Sequence, residues 1–210
     1  MNHNTPEIII IGASILDVLV RPADPDVFQT GSSPAEEIRM SVGADALNEA
    51  TVLAKLGKRV RLETIFRCAK EKGKTVCADM TKRKKNETAS DLACALQYVD
   101  YLFPNDEEAM LLTGKDTVEE AAEVLRDSGA GTVAVKCGRR GCYLLEKKKK
   151  GIWIPAEKGI ECLDTTGAGD SFAAGFLFAL SEGKSAEECA GYGNHCGARA
   201  VSVVGATEWL

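Results

Sequence analysis

Short β-branched runs alternate with segments of helical periodicity along almost the whole chain, and that rhythm restricts the fold to the α/β class. Ile8-Ile9-Ile10-Ile11 closes on Gly12 and reads as a buried strand, with a loop expected after it. Ala50, Leu53 and Ala54 with a glycine stop at Gly57 outline a helix over 48–56, and 60–63 reads as another strand. Further on, the pattern predicts the end of a helix over 66–72 with Gly73 as terminator, then a strand over 75–78 that delivers Asp79 at its end. Helix 88–97, strand 98–103, helices 105–113 and 117–127, strand 132–136 and helices 169–181 and 185–200 complete the series. Strand-like segments 143–145 and 152–154 flank Lys147-Lys148-Lys149-Lys150-Gly151, whose charge suits an exposed hairpin tip rather than a phosphate site. Asn86-Glu87-Thr88 matches a glycosylation acceptor but reads more simply as a helix cap. No internal repeat or low-complexity linker interrupts the series.

Whether these elements share one core depends on size and apolar content. With 210 residues, 45% of them apolar, the chain suits a single domain over 1–210. The net charge of -5 comes from 31 acidic and 26 basic residues scattered along the chain. Nothing therefore supplies the basic face that nucleic acid or an anionic membrane would need, and neither partner is expected. No apolar run approaches the roughly 20 residues of a membrane helix, and the N-terminus lacks a basic-apolar-small leader, so a cytoplasmic protein is expected. The eight cysteines need not form a disulfide framework in a chain this long, and Cys77 and Cys137 sit inside strand-like runs, as reduced core thiols would. Cys137 and Cys142 lack the second close pair that a zinc site requires.

The segment richest in chemistry is Asp164-Thr165-Thr166-Gly167-Ala168-Gly169-Asp170-Ser171-Phe172. Small residues at 167–169 let the backbone approach a ligand closely, and a helix beginning there turns unpaired N–H groups and its positive dipole end toward an anion. Asp170 in the first turn would place a carboxylate beside that anion, an arrangement that suits a base accepting a proton from an attacking hydroxyl. The plainer alternative is a helix cap completed by Asp170. No lysine follows the glycines as in a Walker loop, and no G-x-G-x-x-G opens a helix after the first strand as in a Rossmann fingerprint.

The segment resembles the C-terminal signature D-T-x-G-A-G-D of the PfkB carbohydrate kinases, the ribokinase-like family. The resemblance implies a three-layer α/β/α sandwich with a mostly parallel central sheet and ATP-dependent phosphorylation of a sugar or sugar-acid hydroxyl. It implies an anion hole at Gly167, Ala168 and Gly169, with Asp170 as the catalytic base, and ATP, Mg2+ and a monovalent cation such as K+ as cofactors. Asp164 and Thr166 would help hold the monovalent cation. Asn105-Asp106-Glu107-Glu108 resembles the family's N-x-x-E motif, which would give Asn105 and Glu108 the task of organising Mg2+ and its waters, although an asparagine after Pro104 also caps a helix. Lys136-Cys137-Gly138-Arg139-Arg140-Gly141 is similar to the glycine-bearing turn after a nucleotide-side strand, which places Lys136, Gly138 and Gly141 on the ATP side, and Asn194 falls in the helix that lines the family's adenine pocket. Asp17, Gly43 and Asn48 would face the sugar, with 1–64 forming the substrate side and 65–210 the nucleotide side. The resemblance also allows a homodimer.

Two departures stand out. Ala44 replaces the second of two adjacent glycines, adding a Cβ at a tight place. Family chains are about half as long again, and the shortfall concentrates near Thr64–Ile65, where a block carrying lid strands, central strands and part of the substrate wall would lie. A catalytically impaired nucleotide-binding remnant is therefore an alternative to an active sugar kinase, as is a nucleoside or vitamin kinase of the same family.

Overall fold

The computed structural model describes residues 8–10, 15–21, 37–43, 52–57, 60–62, 66–81 and 87–210. The N-terminal elements are β1 (Ile8–Ile10), β2 (Ile15–Arg21), β3 (Glu37–Gly43) and β4 (Val60–Leu62). Then come α1 (Phe66–Glu71), β5 (Cys77–Asp79), α2 (Ala89–Leu96), β6 (Tyr101–Phe103), α3 (Asp106–Thr113) and α4 (Val118–Asp127). The chain continues through β7 (Thr132–Lys136), a 3-10 turn over Gly138–Arg140, β8 (Cys142–Glu146), β9 (Ile152–Ile154), α5 (Ala168–Ser181) and α6 (Ala186–Ala200).

β5, β6 and β7 pair in parallel, and β8 and β9 extend the sheet antiparallel in the order β5-β6-β7-β8-β9. Side-chain alternation gives this sheet two apolar faces. Val133, Val135, Tyr143 and Leu145 join Leu112 of α3 and Ala121 and Leu125 of α4 in one cluster. Ala134, Cys142 and Leu144, one residue out of step, join Phe172 and Phe176 of α5 and Cys189 and Ala190 of α6 in another. Helices thus cover both faces, in the α/β/α sandwich expected from the sequence. On the α5 side the filling is aromatic, with Phe103 ring centroids 4.9 Å from Phe176 and 6.2 Å from Phe172 in tilted and edge-on contacts.

Helix starts follow their capping residues. Asn105, Thr117 and Ser185 each accept the amide of the residue three positions on, Glu108, Glu120 and Glu188. Thr88 starts α2, its N–H donating to Asp91 at 2.9 Å, so the cap reading of 86–88 fits the residues described there. The hydrogen bonds of Thr88 hold the Asp91 carboxyl below the usual carboxylate range. The lysine run forms the expected exposed turn, with Lys148 in the left-handed region at φ 64°.

Some boundaries differ from expectation for local reasons. The strand expected over 98–103 begins at Tyr101, because Tyr98 N–H and Val99 N–H are taken by Ala95 O and Leu96 O at the end of α2. The loop expected after the first strand contains β2 and β3, an antiparallel pair in register from Ile15 opposite Gly43 to Arg21 opposite Glu37. β1 and β4 pair in parallel. Among the described residues these two pairs are not hydrogen-bonded to the five-stranded sheet. Val52 and Leu53, in helical residues 52–55, pack on Ala174 and Leu177 of α5. No helix among the described residues is long and apolar enough to cross a membrane.

Candidate active site at the carboxyl ends of the parallel strands

The parallel strands β5, β6 and β7 end at Asp79, Phe103 and Lys136, on the edge where open α/β sheets bind ligands. A cavity of about 340 Å3 at the opposite, amino-terminal edge is lined by Thr75, Tyr101, Thr132 and Glu146 and includes none of the candidate residues. The site is therefore assembled from side-chain geometry at the carboxyl edge.

Lys136 is its hub. Its Nζ lies 2.7 and 2.6 Å from the two carboxylate oxygens of Asp79, and the side chains are only 14% and 9% exposed. Its backbone bridges to Asn105, and its N–H donates to Pro104 O at 2.8 Å. A Cβ on Gly169 would stand 3.1 Å from Lys136 Nζ. Asp79, Asn105, Lys136 and Gly169, from four distant stretches of sequence, thus meet at one place.

Residues 164–170 form the turn that opens α5. Gly167 caps α5 at φ 75° and ψ 3°, a left-handed conformation suited to glycine, and a Cβ there would lie 2.6 Å from Ala206 Cα. Ala168 N–H closes the turn on Thr165 O at 3.2 Å, and the helix ladder starts with Ser171 N–H on Gly167 O at 2.8 Å. The amides of Gly169 and Asp170 therefore lead the helix at its positive dipole end. Asp170 stands in this first turn, half-buried, next to exposed Thr165 and Thr166. Asp164 ties the turn together: Oδ1 accepts from Thr166 N–H at 3.0 Å and Thr166 Oγ1 at 2.7 Å, and Oδ2 accepts from Gly205 N–H at 3.0 Å. Trp209 Nε1 adds a bond to buried Ser171 Oγ at 3.2 Å.

Asn105 and Glu108 form a reciprocal cap, Asn105 Oδ1 accepting Glu108 N–H and Glu108 Oε2 accepting Asn105 N–H, both at 2.8 Å. The cap fixes the orientation of the Glu108 carboxylate, on a residue only 8% exposed, three positions after the Asn105 whose backbone bridges to Lys136. After β7, Gly138 and Gly141 bracket the 3-10 turn, and Gly141 packs on the backbone of Ile154 and Ala156. Asn194 Nδ2 donates to Ile154 O at 3.0 Å and Pro155 O at 3.2 Å, anchoring the segment after β9 to α6. Arg140 bonds Asp106 at 3.2 Å and lies over the Trp153 ring at 5.0 Å.

The thiols nearby are inert. Burial pushes Cys137 and Cys196 up to about 11 and Cys142 up to about 12, away from nucleophilic chemistry. Asp17 lies in β2 opposite Ser41 and Gly43 in β3 opposite Ile15, in strands that pair with each other; Asn48 lies outside the described residues. Sequence reasoning placed Asp79 at a strand end but gave it no role. An acid at the carboxyl end of a buried strand was the signal that could have marked it.

The pfkB family carbohydrate kinase profile matches residues 60–210. Cytidine kinase of Thermococcus kodakarensis is 35% identical over 121 residues, 56% of this chain and 44% of that protein. The 2-dehydro-3-deoxygluconokinase of Bacillus subtilis is 34% identical over 123 residues, 59% of this chain and 37% of that protein. Against these curated relatives the matched stretch is less than half of their length. Ribokinase of Arabidopsis thaliana, solved in complex with ribose and ATP, superposes with a TM-score of 0.77 at 20% identity, covering 98% of this chain and 95% of that one. This structural likeness fixes the fold as ribokinase-like.

Proposed function

This chain belongs to the pfkB family of carbohydrate kinases, and on that footing we propose that it carries the phosphoryl-transfer site of an ATP-dependent kinase acting on a sugar, sugar-acid or nucleoside hydroxyl. The observation that carries the reading is the position of Asp170 in the first turn of α5, three residues after a left-handed glycine cap and next to Gly169, against which Lys136 Nζ lies. Asp170 accepts the proton of the acceptor hydroxyl. The amides of Gly169 and Asp170, on a turn shaped by Gly167 and Ala168, face the oxygens that gain charge during transfer. Lys136, Gly138, Gly141 and Asn194 lie on the nucleotide side, and Asp17, Gly43 and Asn48 are assigned to the acceptor.

Oxygen donors with retained water are what Mg2+ takes, and the Asn105–Glu108 pair fits it, because the reciprocal cap holds the Glu108 carboxylate in one orientation. When bound there, Mg2+ supplies charge neutralisation on the phosphates. For K+, both oxygens of Asp164 accept hydrogen bonds from Thr166 and Gly205, which assigns that carboxylate first to holding the loop. No step here runs through a monovalent cation. The soluble small-molecule role includes no nucleic-acid or membrane partner; a cytoplasmic location and a homodimer accompany the proposal.

A second reading, a nucleotide-binding remnant without turnover, is favoured by the short span relative to the curated kinases. ADP release from ATP across pentoses, hexoses, sugar acids and nucleosides separates the two. Turnover with any acceptor supports the kinase, and nucleotide binding with no ADP release across the panel supports the remnant.

A further inference from the structure

The end of the chain meets the candidate catalytic turn at three places. Gly205 N–H donates to Asp164 Oδ2 at 3.0 Å, Ala206 Cα lies 2.6 Å from the point where a Cβ on Gly167 would stand, and Trp209 Nε1 donates to Ser171 Oγ at 3.2 Å. The contacts follow in the same order along both segments, so residues 205–209 brace 164–171 along its length. The last contact is the least expected. Ser171 is fully buried, and three positions on along α5 Ala174 belongs to an apolar cluster with Val52, Leu53 and Leu177, against which Trp209 also packs. Apolar packing there needs no hydroxyl, and a neutral hydrogen bond returns little net stability. What the bond adds is direction: an indole against aliphatic side chains can slide and turn, and its N–H on Oγ selects one placement. Ser171 follows Asp170 directly, and its own N–H on Gly167 O at 2.8 Å begins the α5 ladder. Holding Ser171 therefore holds the first turn, and with it the backbone that carries Asp170.

We propose that Trp209 is a positioning residue for phosphoryl transfer: its indole N–H fixes the first turn of α5 through Ser171, while its rings join that turn to the cluster that includes helical residues 52–55. This rests on the reading of Asp170 as the base. Trp209 acts through Ser171 and takes no part in the proton transfer itself.

ADP release by the full chain at saturating ATP and acceptor, together with ATP affinity, tests this for Trp209→Phe, Ser171→Ala and the double variant. Trp209→Phe keeps an aromatic ring in the cluster and removes the donor. Ser171→Ala keeps the indole and removes the acceptor, and alanine suits a helix, so the test stands even where Trp209→Phe does not fold. Each single variant should lower kcat about tenfold, the effect of a small misplacement of a reacting group, with ATP affinity within about twofold of the wild type. Because both remove the same bond, the double variant should lose no more than either alone. Lower melting temperatures with kcat unchanged would make the bond a structural one and overturn the assignment, as would losses that multiply in the double variant. Hydrogen exchange gives a readout independent of turnover: peptides covering 168–175 should exchange about fivefold faster in both single variants, the worth of one neutral hydrogen bond, with α6 unchanged. If the wild type releases no ADP with any acceptor, the kinase reading fails by itself and exchange decides alone. Faster exchange confined to 168–175 then supports the bracing role of Trp209, and equal rates in wild type and variants refute it.

Discussion

Cys137 and Cys142 flank the turn after β7, close enough to the candidate site that a thiolate there would invite a nucleophilic role. Desolvation forbids it, raising Cys137 to about 11 and Cys142 to about 12, with Cys189 and Cys196 at about 11. Cys94 and Cys162 are exposed. Iodoacetamide labelling followed by mass spectrometry should therefore modify Cys94 and Cys162 in the native protein and reach the four buried thiols only on unfolding. Equal labelling of Cys137 and Cys162 in the native state would contradict the burial. The same shifts set a pH dependence. Each buried thiol keeps its proton in the folded state to higher pH than in the unfolded chain, so the unfolded state binds fewer protons above the ordinary thiol value. This contribution is fully present below about pH 8.5 and is lost as pH climbs through the folded values of about 11 to 12. Under reducing conditions the urea midpoint should be lower at pH 10 than at pH 7.5, and thiol ionisation accounts for no part of an unchanged midpoint.

The turn between β9 and α5 is an element with little tolerance. Gly167→Ala combines a left-handed residue, costing about 1–3 kcal/mol, with a Cβ placed 2.6 Å from Ala206 Cα. We expect a clear drop in thermal midpoint together with loss of nucleotide binding; a variant that melts and binds like the wild type would show that the turn is shaped otherwise. This element was legible because glycines, a helix start and an acid are adjacent in sequence. So were the strands of the five-stranded sheet, short apolar runs set between segments of helical period. β3 announces itself through the alternation of Ile38, Met40 and Val42, but its partner β2 runs Ile15-Leu16-Asp17-Val18-Leu19-Val20 without period, and the pair was expected as a loop. The Lys136–Asp79 pair was illegible for a different reason. Its members are 57 positions apart and meet only because parallel strands end at the same edge. No local spacing records that.

For the whole molecule, the stretch from β5 through α6 forms one continuous sandwich, and the family profile covers 60–210. Among the described residues, the strands that carry Asp17 and Gly43 pair with each other and not with the five-stranded sheet. Nucleotide contacts should accordingly survive better than acceptor contacts: by calorimetry, ATP with Mg2+ should bind at least about tenfold more tightly than any pentose, hexose or sugar acid tested alone. Tight sugar binding without nucleotide binding would reverse the assignment of the two halves. The central claim concerns one carboxylate at the mouth of the 164–170 turn, and the most direct test compares the wild type with Asp170→Asn for ADP release under the best acceptor and for ATP affinity. Loss of a general base predicts turnover lower by about 10²- to 10⁴-fold with ATP affinity nearly unchanged. An asparagine variant that releases ADP at the wild-type rate would contradict it.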